Sequence, residues 1–245
     1  MPNWVENTVT IKGELNDLLA LINLGLKNSH AEEVKADVVT TEVVQSAINK
    51  LYDKGIYRCG DNGGNYNDKK PYTIKEERGV NFSTFLPIPD TFLKFDTTNY
   101  ESEFKDEADK QKKEYGVVGW YDYNCEYFGC KWDSEVRDLR FNTIKYGDNK
   151  YKLSFQTTTP WSPPLVFIKR LKELFPNLDF YICYIEEMGE SAGYFKILGK
   201  EMIGDDLTHF FAETDEQNED VDFDSRYEIS EDKVYDAYYR FVDSN

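Results

Sequence analysis

The residues best equipped for chemistry are few. Two histidines, His30 and His209, and four cysteines, Cys59, Cys125, Cys130 and Cys183, are the whole imidazole and thiol supply of a 245-residue chain. No two cysteines stand as C-x-x-C, and a zinc site would be short of ligands. The sequence contains no H-E-x-x-H, no G-x-S-x-G, and no G-x-G-x-x-G after a strand. A Ser-His-Asp site would have to recruit His30 or His209, and both lie in polar stretches that read as surface. The sequence therefore assigns no catalytic residue, no metal and no cofactor.

Two stretches concentrate recognition chemistry instead. VVGWYDYNCEYFGCKWD, residues 117–133, holds six aromatic residues between Trp120 and Trp132, with Asp122, Glu126 and Asp133 among them. Trp120, Tyr123, Tyr127 and Phe128 fall at helical spacing, the pattern of a helix anchored in a core. The three acids fit packed salt bridges better than general acid–base work. The second stretch is PWSPP, residues 160–164. Ser162 suits a helix N-cap, and Pro163 and Pro164 suit a first turn that needs no N–H donors. That leaves Trp161 without a structural task, either plugging the core or displayed on the surface. The candidate binding residues are Trp120, Tyr121, Trp132, Asp133 and Trp161.

Two weaker patterns count against specific chemistries. Asp220, Asp222, Asp224 and Glu231 stand at positions 1, 3, 5 and 12 of a calcium loop, but Ser225 replaces the turn glycine and no convincing helix precedes them. In so acidic a segment this spacing arises readily by chance, which argues against a calcium site. RCGDNGGNYNDKKPY, residues 58–72, lacks the Lys-Ser/Thr of a phosphate loop and reads as a surface loop.

Charge narrows the partners. The chain has 29 Lys+Arg against 46 Asp+Glu, a net charge of −17. From Asp205 onward there are 14 acids and 3 bases, so most of the surplus lies at the C-terminal end. No Lys/Arg cluster offers counterion-release binding to phosphates, which disfavours direct nucleic-acid binding. Acidity of this kind chiefly serves solubility, and it would also suit a basic partner. The first residues, MPNWVENTVTIKG, lack the basic and apolar regions of a signal peptide, and no apolar run reaches membrane-spanning length. A cytoplasmic setting with reduced cysteines is expected.

The elements that must position these residues follow from periodicity. Alternation over Asn7–Lys12 predicts a strand, and Leu15, Leu18, Leu19, Ile22 and Leu26 predict an amphipathic helix. Further helices are expected at 41–54, 104–114 and after Ser162, and a short strand at 80–85. Strands at 131–146 and 151–158 join through a tight turn, and an apolar strand at 178–185 meets a return strand at 192–198. From Ser230 a last helix carries Val234, Tyr238, Phe241 and Val242 on one face, so it should dock. The set β-α-β-β-α-β specifies an α+β, ferredoxin-like split βαβ sandwich with an antiparallel sheet. It would occupy residues 1–200, with an inserted helical and loop segment at about 28–79. Residues 201–245 would form an acidic C-terminal extension with the docking helix.

Three separated motifs carry a resemblance to a known family. They are the opening Met1-Pro2-Asn3-Trp4 with Glu6-Asn7 and Thr10-Ile11, then Trp120-Tyr121 with Lys131-Trp132-Asp133, and then Thr159, Trp161-Ser162-Pro163-Pro164 and Phe175-Pro176. In this order they resemble the YubB-like family of phage- and plasmid-encoded proteins, which implies a ferredoxin-like domain and a mobile-element origin. Val5 stands where the family often has cysteine, and Phe128-Gly129-Cys130 departs from its usual W-G-x. The resemblance covers the first strand and residues 80–198. It carries over no catalytic residue. The expected role is a non-catalytic module that binds a protein partner, including the variant in which its acidity blocks a basic nucleic-acid-binding or defence protein. The alternative is a small-molecule binder or enzyme with an aromatic pocket near Trp120, Trp132 and Trp161.

Overall fold

The computed structural model describes residues 3–61, 73–94, 104–146, 150–187, 191–199, 201–206 and 223–245. Its helices are α1 Leu15–Asn28, α2 Thr41–Lys54, α3 Phe82–Phe85, α4 Asp90–Leu93, α5 Lys105–Tyr115, α6 Gly119–Tyr127, α7 Leu165–Leu174 and α8 Phe223–Ser244. Its strands are β1 Trp4–Gly13, β2 Ile56–Asp61, β3 Thr73–Arg78, β4 Arg137–Tyr146, β5 Lys150–Pro160, β6 Asp179–Glu186, β7 Ala192–Leu198 and β8 Glu201–Asp206. Six strands form one antiparallel sheet in the order β4-β5-β1-β6-β7-β8. The β4-β5-β1-β6 run, with α1 after β1 and α7 between β5 and β6, is the split βαβ arrangement of a ferredoxin-like fold. β7 and β8 extend the sheet beyond β6.

Alternation along β1 sorts its side chains between two faces. Val9 and Ile11 enter the main core with Leu18, Ile22 and Leu26 of α1 and Phe167, Ile168 and Leu171 of α7. Thr10 and Lys12 point the other way, towards α8. β6 is buried on both faces, so it reads as a continuous apolar run. Phe180 and Ile182 belong to the main core, and Tyr181, Cys183 and Ile185 to a second core with Val234, Tyr238 and Val242 of α8. Tyr238 is fully buried and its hydroxyl donates to Thr10 Oγ1 at 2.7 Å. Lys12 Nζ donates to the Val242 carbonyl near the C-terminus of α8, where a cation also complements the helix dipole. Burial holds the Lys12 ammonium below the ordinary lysine pKa, opposed by the nearby Asp243 carboxylate.

Several local expectations are corrected. Residues 80–85 form the helical turn α3, because Asn81 and Thr84 close a reciprocal capping box, and Asn81 keeps only an isolated bridge to Glu135. Residues 58–61 of the expected surface loop belong to β2, which pairs with β3, and residues 62–72 lie outside the described residues. β4 begins at Arg137, and Lys131–Asp133 are bent, non-strand backbone whose Asp133 carboxylate is tied to Ser83. Ser162 is not the N-cap of α7. Pro164 holds that position, and Ser162 Oγ donates to Gly129 O at 2.9 Å. α8 starts at Phe223, so Asp224 and Ser225 lie on helical backbone that no calcium loop could share, while Asp220 and Asp222 lie outside the described residues. No described helix is long and apolar enough to cross a membrane.

Truncating Tyr238 empties the centre of the second core. Tyr238→Ala should cost about 3–5 kcal/mol in urea denaturation, and Tyr238→Phe, which loses one buried hydrogen bond, about 1 kcal/mol. Cys183, now under α8, should become alkylatable in Tyr238→Ala and stay protected in Tyr238→Phe, as read by mass spectrometry.

Candidate functional site

At the end of β5 the chain turns sharply into α7, and Trp161 sits on that corner with φ 62°, in the left-handed region that non-glycine residues avoid. The corner is held from beneath. Asn7 Nδ2 donates to Thr159 Oγ1 at 2.9 Å and Val5 O at 2.8 Å, and Thr159 Oγ1 donates to Ser162 O at 2.7 Å. Trp161 N donates to Asn3 O at 2.8 Å. Asn7 and Thr159 are buried, whereas the Trp161 side chain is 52% exposed. Strained backbone under an exposed large aromatic is unusual unless surrounding structure enforces it. Here a buried polar chain does so.

Opposite this corner lies the turn after α6. Gly129, at φ 79°, ends that helix with its N–H on Cys125 O. A Cβ there would meet Val166 atoms at 3.1–3.3 Å, so glycine also permits the close approach of the α7 start. Asn124 Nδ2 donates to Lys131 O at 3.0 Å and fixes the following residues. Asp133 then anchors the turn to α3, accepting from Ser83 N at 2.9 Å and Ser83 Oγ at 2.5 Å. Burial pushes the Asp133 carboxyl up to about 6, against the opposing pull of those Ser83 hydrogen bonds.

These supports gather four aromatic rings, three of them around one cation. Trp4 lies 5.6 Å from Trp132 and Trp132 6.2 Å from Trp161, centroid to centroid. Lys131 Nζ stands 5.1 Å from the Trp132 ring, 5.2 Å from Trp161 and 5.8 Å from Tyr121, all within cation–π range. Tyr121 is 44% and Trp4 36% exposed. No carboxylate among the described residues forms an ion pair with Lys131.

The structure thus brings Tyr121, Trp132 and Trp161 of the sequence candidates together and separates the other two. Trp120 packs against the main core and touches the group only edge-on, 6.0 Å from Tyr121. Asp133 is committed to α3. Trp4 and Lys131 were missed as site residues, although both lie inside the quoted motifs. Trp4 arrives only through β1 pairing, and Lys131 is an ordinary lysine until three rings surround it. Asp122 and Glu126 are exposed, without an ion pair among the described residues, where packed salt bridges were expected. Asp122 stands in the first turn of α6, where a carboxylate needs only the helix dipole.

None of the four cysteines is in a disulfide, and burial pushes Cys130 up to about 12, leaving it an inert thiol. His30 is exposed, with Glu76 at 3.6 Å, and His209 lies outside the described residues. No three His, Cys, Asp or Glu among the described residues are grouped to hold a metal ion.

Two outcomes test these supports. Glycine tolerates the Trp161 backbone and alanine does not, so Trp161→Gly should be more stable than Trp161→Ala by about 1 kcal/mol in denaturant titrations. The raised Asp133 pKa means that folding takes up a proton, so this residue's contribution to stability declines as pH rises from about 4, the ordinary carboxylate value, to about 6. Asp133→Asn should remove that part of the pH dependence, visible as the wild-type minus variant difference across the window.

Residues 131–226 match the family described as the ferredoxin-like domain in Api92-like protein. No curated protein matches the chain. Among solved structures, protein api92 from Yersinia pseudotuberculosis is similar at 12% identity with a TM-score of 0.34, over 83% of this chain and 97% of that one. The fold is ferredoxin-like, and the part of it from Lys131 into α8 is similar to the ferredoxin-like domain of Api92-like proteins.

Proposed function

We propose that this is a non-catalytic interaction module, of the mobile-element type that its YubB-like motifs suggest, which docks a protein partner on the Trp4, Tyr121, Trp132 and Trp161 surface. The observation that carries this reading is Trp161. A large aromatic is held exposed, in a costly backbone conformation, by buried hydrogen bonds that would serve a smaller residue as well. Aromatic side chains dominate binding hot spots because they bury much area with few rotors to order. Lys131 supplies a charge at the centre of the group, and its partner is best met by a carboxylate on the docked segment. Desolvated between rings, that pair would contribute more than a rim contact does. The partner is therefore a protein presenting an acidic side chain or a chain terminus flanked by apolar residues. The surplus of acid elsewhere on the chain serves solubility and discourages unselective contact with other acidic proteins.

The test pairs capture with substitution. A photo-crosslinking residue at Tyr121 should trap a defined host protein in cells, and Trp161→Ala and Lys131→Gln should each abolish the adduct. Lys131→Arg, which retains the charge, should restore it in part. Trapping that persists in both loss variants, or no adduct at low salt, would remove the support for this surface.

A further inference from the structure

α8 covers only part of the sheet's second face. Its buried residues lie over β6 and β7 and reach Thr10 and Lys12 of β1, and its exposed Tyr239 borders a hollow above β4, β5 and the Thr8 end of β1. The hollow measures about 360 Å³, in the range that accepts small ligands. Thr8, Ser154 and Gln156 line it with hydroxyl and amide groups, Arg140 and Lys152 with positive charge and Asp138 with one carboxylate, while Thr10 at its edge is buried under Tyr238. The character of this surface is opposite to that of the chain as a whole.

A β-bulge builds it. Arg137 pairs with Gln156 and Arg140 with Ser154, so three steps along β4 match two along β5. Asp138 absorbs the extra residue at φ 50°. Without it, the residue opposite Ser154 would be Leu139, and Arg140 would turn to the other face of the sheet. With it, Leu139 is buried, its N–H donating to Tyr52 Oη at 2.5 Å, and Arg140 stands on the hollow beside Asn142 and Lys152. Asp138 approaches Arg140 only at 3.6 Å and both are exposed, so the guanidinium keeps donors free for a ligand. Lys152 lies 5.3 Å over the Tyr239 ring and forms no ion pair among the described residues. A guanidinium and an ammonium above a hydroxyl-rich floor suit one phosphoryl group on a polyhydroxylated body. The net charge of −17 repels a long polyanion far more than a single phosphate.

We propose that this hollow binds a small phosphomonoester of a hydroxylated skeleton, a sugar phosphate or a mononucleotide, with the phosphate between Arg140 and Lys152 and the hydroxyls on Thr8, Ser154 and Gln156. The site is separate from the aromatic surface and does not depend on the function proposed for it.

Calorimetric titration of the full chain with ribose phosphate, AMP, inorganic phosphate and ribose tests this. The two phosphomonoesters should bind saturably at millimolar concentration or below, inorganic phosphate about tenfold more weakly, and ribose not at all. Arg140→Gln and Lys152→Gln should each weaken phosphomonoester binding about tenfold or more, the scale of a lost charged hydrogen bond. Both substitutions are at the surface, so thermal melts matching the wild type will establish that they fold. AMP binding tighter than ribose phosphate, with the difference lost in Tyr239→Ala, identifies a nucleotide site, and equal binding identifies a sugar phosphate site. Absence of saturable binding by either phosphomonoester, equal binding of ribose, or unchanged affinity in both glutamine variants would overturn the proposal.

Discussion

The structure depends on β1 lying at the middle of the sheet. Its residues pair with β5, about 150 positions later, and with β6, about 180 positions later. Every layer is referred to this strand. Val9 and Ile11 set the position of α1 and α7, while Thr10 and Lys12 receive α8. Asn7 ties β1 to Thr157 and Thr159 and so fixes the corner that displays Trp161. Such distant pairings impose a large loop-closure entropy before any contact is made, so they must close late and together. A one-residue slip of β1 would exchange the two faces and undo both cores at once.

The two faces are treated unequally. A ferredoxin-like sheet covers one face with its own two helices, and the other needs protection or a use. Here α8 seals the half over β6 and β7, where β6 is apolar on both sides. The part over β4 and β5 carries Ser, Gln, Lys and Arg and needs no cover, while β1 between the two parts passes Thr10 and Lys12 under α8. The division follows composition strand by strand. A central strand without polar alternation demands a partner on each face, and strands with polar alternation tolerate water on one.

Sequence periodicity exposed the large-scale plan because helices and strands bury one face with a regular period. The α1 leucines and the Tyr123 and Phe128 anchors all lie in the core where their spacing places them. Tyr121, off that helical stripe, is on the surface. Events that break periodicity were not legible. The α3 turn arises from two side chains capping each other, the β4 bulge from one extra residue, and the Ser162 hydroxyl from a carbonyl 33 positions away. Strand β8 was missed because Glu201–Asp206 offers only Met202 and Ile203 as apolar residues, and an edge strand exposed on its outer side needs no more. Trp4 and Lys131 escaped notice for the same reason, since their significance comes from neighbours that only the folded chain supplies.

Net charge was an equally incomplete guide to the local surface. Screening limits exposed charges to a reach of about 8–10 Å at physiological salt, so the total charge of a chain does not set the sign of each local surface. Eleven of the seventeen net negative charges reside from Asp205 onward. The sheet half bearing Arg137, Arg140 and Lys152 meets only Asp138 and Glu6 as nearby acids on its own strands. A chain can therefore be strongly acidic by composition and still present cationic patches, provided that few of the acids lie on the strands that carry them. Lys131, held among three rings, and Arg140 and Lys152, on strands with only those two acids, keep their own local sign.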